Sequence, residues 1–144
     1  MATFTNAATL SYNGNTLVSN TVTGTLQELL TVSKTAVGDT YAPNGEAVFA
    51  VSLVNSGAAA LTGLTLNDNL GAYAYNTSTL YPLTYIDGSI QYYINGVLQA
   101  APTATAGPPL VISGINVPAG GNALLVYKAK VNEYAPPAQG STIT

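Results

Sequence analysis

Apolar and polar residues alternate along most of this chain with a period of two, the spacing of a strand with one buried face. In 28–36, Leu30, Val32, Lys34 and Ala36 share a face. In 62–70, Leu64, Leu66, Asp68 and Leu70 do so, and in 2–12, Phe4, Asn6, Ala8, Leu10 and Tyr12. The pattern predicts strands near 3–12, 16–25, 28–36, 46–55, 61–69, 83–94, 97–100, 109–115 and 122–132, with a stub at 141–144. Helical periodicity is nearly absent. The best helix candidate, Leu26-Gln27-Glu28-Leu29-Leu30, is hemmed in by β-branched residues, which favour strands. Asn13-Gly14-Asn15 and Asn95-Gly96 read as hairpin turns, because Asn and Gly tolerate the positive φ of a type I′ turn. Asn55-Ser56-Gly57 and Ala119-Gly120-Gly121-Asn122 are further turns. Pro108-Pro109 and Pro136-Pro137 are excluded from central strands. Short strands and regular turns predict an all-β chain folded as an antiparallel β-sandwich. Its predicted core is Phe4, Leu10, Leu30, Val32, Phe49, Val51, Leu53, Leu64, Leu66 and Val126.

Composition narrows the function classes. The chain has 144 residues with 3 Lys, no Arg and 6 acidic side chains, so charged residues make up only 6%. Three cations and a net charge of −3 cannot track a phosphate backbone, so nucleic acid is not an expected partner. There is no His, Cys or Trp, which removes His- and Cys-based triads and zinc sites built on His and Cys. No enzymatic activity, cofactor or metal is expected. Mean hydropathy is +0.27, but the longest apolar runs, such as Ala47-Val48-Phe49-Ala50-Val51, are far short of the roughly 20 residues of a membrane span, so no membrane insertion is expected. Residues 1–10 lack the basic and apolar regions of a secretory leader; this reads as assembly from the cytoplasm or as prior removal of a leader. With so few charges, the inward phase of Lys34 and Asp68 is the most informative feature of the pattern.

From about residue 31 to 144 the chain resembles the DUF11 family of bacterial surface repeats. The matching stretches are Val32-Ser33-Lys34-Thr35-Ala36, Gly45-Glu46-Ala47-Val48-Phe49, Leu53-Val54-Asn55-Ser56-Gly57 and Leu64-Thr65-Leu66-Asn67-Asp68-Asn69-Leu70. Val117-Pro118-Ala119-Gly120-Gly121 followed by Leu124-Leu125-Val126-Tyr127 also fits. The resemblance implies an immunoglobulin-like β-sandwich of the kind found in cell-wall, adhesin and filament proteins. The resemblance implies that the family's final strand begins at Ser141-Thr142-Ile143-Thr144. A similar pattern stands instead at Thr3-Phe4-Thr5-Asn6-Ala7-Ala8-Thr9 and Ser19-Asn20-Thr21-Val22-Thr23. The chain therefore reads as a circular permutation: residues 1–27 form a closing hairpin and 28–144 the sandwich core. The hairpin either folds back on its own core or completes a neighbour's, and the second choice propagates as a filament. Its assembly face would be Phe4, Asn6, Ala8, Leu10 and Tyr12.

The strand positions also resemble those of isopeptide-bonded surface domains, which implies a candidate constellation of Lys34, Asn6 and Asp68. An apolar site is expected to lower the Lys pKa and raise that of the carboxylic acid, which then polarises the Asn amide for attack. The competing reading is a buried Lys–Asp ion pair with an Asn hydrogen bond. Glu46 is the alternative acid, but the phase of Phe49, Val51 and Leu53 leaves it outside. Tyr73, Tyr75, Tyr81, Tyr85, Tyr92 and Tyr93 suit either a sugar platform or ordinary strand and interface packing. Asn67-Asp68-Asn69 and Asp87-Gly88-Ser89 read as turn chemistry rather than as a calcium site. Asn76-Thr77-Ser78 matches a glycosylation acceptor, a tripeptide common by chance. The expected role is a structural, self-associating subunit of a bacterial extracellular or spore-surface filament. The alternative is a monomeric surface adhesin or cell-wall module with its hairpin packed in cis.

Overall fold

The structure, a computed structural model, describes residues 3–25, 27, 29–136 and 143. All regular structure among them is β. The strands are β1 (Thr3–Asn6), β2 (Thr9–Tyr12), β3 (Asn15–Val18), β4 (Val22–Thr25), β5 (Leu30–Ala36), β6 (Glu46–Asn55), β7 (Leu61–Asp68), β8 (Tyr73–Tyr75), β9 (Ser78–Leu80), β10 (Leu83–Tyr85), β11 (Gln91–Ile94), β12 (Val97–Gln99), β13 (Thr103–Thr105), β14 (Leu110–Val117) and β15 (Asn122–Val131). Every pairing is antiparallel. No helix of the described residues is long and apolar enough to cross a membrane.

Two sheets make the sandwich. One runs β12-β11-β15-β6-β5, with β10 also on β15; the other runs β13-β14-β7. Cross-strand partners share a face, so the inward set follows from register. Val32 opposes Leu53, Lys34 opposes Val51, and Ala36 opposes Phe49. Those β6 residues in turn oppose Ala123, Leu125 and Tyr127 on β15. From the second sheet, Leu66 opposes Ile112 and Leu64 opposes Ile115. Val51, Leu53, Ala123, Leu125, Tyr127, Ile112 and Ile115 form one core, with Phe49, Leu64 and Leu66 packed partly buried against it; Val32, expected in that core, is instead 52% exposed because β5 is the last strand of its sheet. Between Ser113 and Val117 the pairing slips, with Gly114 at φ +82° and Gly63 at φ +66° taking the left-handed backbone that the bulge requires. Tyr92 on β11 locks the two sheets together: its hydroxyl donates to the Asn116 carbonyl (2.7 Å) and accepts from the Asn116 amide (2.8 Å).

Strands β1 to β4 pair only among themselves: β1 with β4, and β2 with β3 around Asn13-Gly14. The Asn13 and Gly14 φ values of +47° and +78° fit the predicted tight turn. The predicted strand 3–12 is interrupted at Ala7-Ala8, and its return at Ser19-Asn20-Thr21, where the pairing shifts by one residue. Ser19 holds the break, donating its amide to the Ala8 carbonyl and accepting the Ala8 amide at its hydroxyl.

Other expectations need correcting. Phe4 and Leu10 are not core residues within this chain; they are 66% and 62% exposed, because no sheet covers the β1–β4 segment. Val126 points away from the core, and Leu125 and Tyr127 point into it. The run Ala123–Tyr127 is apolar on both faces, which hides its phase; Lys128 and Lys130, both on the outward side, mark it. The predicted strand 83–94 is two strands, β10 and β11, split by a turn at Asp87-Gly88, and both pair with β15. The hairpin β8–β9 and the short β13 were not predicted; each strand has three residues, too few for alternation to register. The stub at 141–144 lies outside the described residues except for Ile143, which packs against the core.

Candidate functional site

The sandwich has two unlike sides. On one, the inward residues of β14 and β15 are sealed: Leu110, Ile112, Ile115, Val117, Leu125, Tyr127, Ala129 and Val131 are inaccessible to solvent. On the other, β5 and β7 are the last strands of their sheets. There the inward Leu64 and Leu66 are only half-buried, and Val32 is 52% exposed. Each lies one strand, about 4.8 Å, from a cross-strand partner that is fully or almost fully buried. An apolar floor therefore lies open between the β5 and β7 edges.

Lys34 and Asp68 bridge that gap. The Lys34 Nζ donates to Asp68 Oδ2 at 2.7 Å, linking the two edge strands. The Lys34 side chain is 40% exposed, against 5% for Asp68. Its ammonium also lies 4.5 Å from the Phe49 ring centroid and 5.9 Å from that of Tyr127. Asp68 has two further donors: the Tyr127 hydroxyl to Oδ2, and the Leu70 amide to Oδ1 at 3.0 Å. Leu70 adopts a left-handed φ of +56°, a strained state for a leucine, but it is buried and its amide is fixed by Asp68.

The electrostatics follow from this donor set. Burial by itself would raise the Asp68 carboxyl; the hydrogen bonds from Lys34, Tyr127 and Leu70 and the Lys34 charge outweigh it, so Asp68 lies below its ordinary value. The expected rise at this carboxyl is thus reversed, because alternation shows that a residue points inward but not how many donors meet it there. The Tyr127 hydroxyl is pushed up by burial first, then by its hydrogen bond to Asp68 and that carboxylate's charge. Glu46 stays outside, as its phase predicts, and pairs with Lys128 at 3.2 Å on the surface.

The third member of the constellation is elsewhere. Asn6 is exposed on β1, opposite Val22, and no hydrogen bond joins it to Lys34 or Asp68 within the chain. Its ribbon has two distinct faces. Phe4, Asn6, Val22 and Gly24 share one; Thr3, Thr5, Thr23 and Thr25 share the other. In the β2–β3 hairpin, Leu10, Tyr12, Leu17 and Asn15 share a face. Ala8 lies in the break between the two ribbons. Phe4, Leu10, Tyr12, Leu17, Val18 and Val22 are all more than half exposed. Residues 3–25 carry no charged side chain.

The other candidates resolve into structural roles. Tyr85 and Tyr92 are buried, whereas Tyr75 is exposed, so the tyrosines form no continuous platform. Tyr81 and Tyr85 line a cavity of about 340 Å³ with Tyr134 and Asn132, whose amide is taken up by the Tyr81 carbonyl and the Thr84 hydroxyl. Asn69 Oδ1 accepts the Gly71 amide and Asp68 Oδ1 the Leu70 amide, both turn contacts, while Asp68 Oδ2 is taken by Lys34 and Tyr127. Asn55, which its Asn-Ser-Gly sequence assigns to a turn, has a larger role. It is fully buried, donating to the Ala59 and Pro118 carbonyls and accepting the Gly57 amide, and so clamps two loops together. Its place at the end of a long apolar strand was the available signal. Comparison with family models, with curated proteins and with solved structures finds no match for this chain.

Proposed function

We propose that this chain is a structural subunit that polymerises head to tail through its N-terminal ribbon, completing an immunoglobulin-like sandwich in a neighbouring copy. The observation that carries this reading is the ribbon itself: 23 uncharged residues, 3–25, with apolar faces left exposed in the single chain. A two-stranded ribbon with a bare apolar face is marginal alone in water and needs a cover. Donor and acceptor are different surfaces of the same molecule, so each contact leaves a free donor and a free acceptor, and growth does not close. The DUF11-like motifs support a bacterial cell-surface or spore-surface filament as the setting. Few charges, no disulfides and abundant Thr and Asn suit a β polymer held by strand pairing and packing.

Trans docking would also bring Asn6 to the Lys34–Asp68 pair of the acceptor. A Lys34–Asn6 amide would then form by attack of the Lys34 amine on the Asn6 side-chain carbonyl, with ammonia leaving and Asp68 relaying the proton. The ionised state of Asp68 in the free chain means that this step requires the added burial of the docked ribbon.

Deletion of residues 3–25 tests the reading. Electron microscopy and light scattering should show fibres from the full chain and none from the deletion; ordered fibres from the deletion would overturn it. A ladder of multimers after boiling in detergent, each bond lighter by one ammonia in intact mass, is the expected sign of the amide. Its absence from formed fibres would remove the covalent step only.

A further inference from the structure

We infer that the acceptor is the free edge of β7, together with the apolar floor between β7 and β5, and that its occupant is the N-terminal ribbon of a second copy of this chain. This rests on the polymer reading above and names its receiving surface.

The exposed edges of the sandwich differ in length. At the far ends of the two sheets, β12 and β13 have three residues each. On the open side β5 has seven and β7 has eight. Long free edges are templates for pairing, and proteins that avoid pairing guard them with short strands, prolines or outward charges. From Leu61 to Asn67, β7 carries neither a charge nor a proline. Its single acid, Asp68, is turned inward and already paired with Lys34.

The faces match. Beside the bulge, β7 points Leu64 and Leu66 inward and Thr65 outward. The β1–β4 ribbon offers Phe4 and Val22 on one face and four threonines on the other. A ribbon strand hydrogen-bonded to β7 with Phe4 and Val22 inward would cover the half-buried leucines and continue the threonine surface outside. Eight residues of edge extend about 26 Å, within the roughly 33 Å reach of Thr3–Tyr12. The ribbon brings no charge into the cleft. The ions there among the described residues, Lys34 and Asp68, are already partnered, so docking leaves neither of them unpaired. A second copy is the occupant because, among the described residues, the ribbon strands pair with one another and not with β7 of their own chain.

The chain contains no cysteine, so introduced thiols report single contacts. Thr65→Cys on β7 is mixed in turn with Thr3→Cys, Thr5→Cys, Thr23→Cys and Thr25→Cys on the ribbon, under a mild oxidant during assembly. All are exposed threonines whose replacement leaves the core untouched. At least one mixture should give a disulfide-linked heterodimer on a non-reducing gel. The same ribbon variants mixed with Thr105→Cys, on the β13 edge, should give none. Fibres that form without any link to position 65, or with equal linking to position 105, would overturn this acceptor while leaving the polymer standing. Failure of the full chain to assemble at all would overturn both.

Discussion

Ile112 and Leu66 are cross-strand partners on the same inner face, yet one is inaccessible and the other only partly buried. The contrast holds for the two sides of the sandwich as wholes. Strands β14 and β15 are interior strands of their sheets, hydrogen-bonded on both sides over part of their length, and their inward residues are sealed. Around β5 and β7 the same kinds of residue lack one neighbour. Hydrophobicity does not distinguish the two sides; the number of flanking strands does. Alternation specifies which way a side chain points, and burial then depends on what covers it.

The largest expected effect tests that difference. Ile112→Ala on the sealed side should cost about 2–5 kcal/mol, since the cavity it leaves cannot collapse onto solvent. Leu66→Ala in the free monomer should cost less, about 1–2 kcal/mol, because part of that side chain stays in water and the open edge lets solvent fill the space it leaves. Chemical denaturation of the two variants under non-assembling conditions makes the comparison. In the polymer the gap should narrow, with Leu66→Ala now weakening assembly. If Leu66→Ala costs as much as Ile112→Ala in the monomer, the open side is not open in solution.

Next in size is the pair that spans the opening. Asp68→Asn keeps an acceptor for Tyr127 and Leu70 but removes the charge opposite Lys34. About 1–3 kcal/mol should be lost near neutral pH. The pH dependence has a definite sign. Asp68 has a folded value below its ordinary 3.8, so the unfolded chain binds the proton first as pH falls. Its contribution is therefore complete above that ordinary value and is lost as pH drops through the folded one. The stability difference between wild type and Asp68→Asn, measured by urea melts from neutral pH downward, should shrink in that acid range. A difference that stays constant into strong acid would mean that Asp68 is not held ionised by its donors.

The legibility of this molecule in its sequence divides along the same line. The phase of β5, β6 and β7 was readable because polar residues punctuate one face: Ser33 and Thr35 against Val32, or Thr65 and Asn67 against Leu66. That reading put Lys34 and Asp68 inward and left Glu46 outside, and the geometry agrees. In β15 the apolar run on both faces concealed the phase and Val126 was misassigned. The fate of Phe4 and Leu10 was not readable at all, since their pattern is that of a core strand and only the fold shows that no core of their own receives them. The state of Asp68 was equally hidden. Its hydroxyl donor comes from Tyr127, 59 residues away in sequence, and no local pattern announces such a meeting.

The smallest expected effect on stability falls in the ribbon. A Cβ at Gly24 would lie 2.2 Å from the Phe4 ring, closer than any real contact, so Gly24→Ala must push the ring off the face it shares with Val22. Phe4 is exposed and free to rotate, so the monomer should lose no more than about 0.5 kcal/mol, the usual range for a surface change. Assembly should respond differently. Docking through the Phe4–Val22 face needs the ring to lie flat over Gly24, where it presents its area to the acceptor without holding the ribbon away. The critical concentration for fibre growth should therefore rise while the melting temperature of the monomer stays put. Phe4→Ala should raise it as well, by removing the ring rather than misplacing it. Combining the two should do no further harm, because with the ring gone the alanine at 24 has nothing to displace. Two additive losses, or no change in critical concentration from either variant, would mean that the threonine face or the β2–β3 hairpin makes the contact instead.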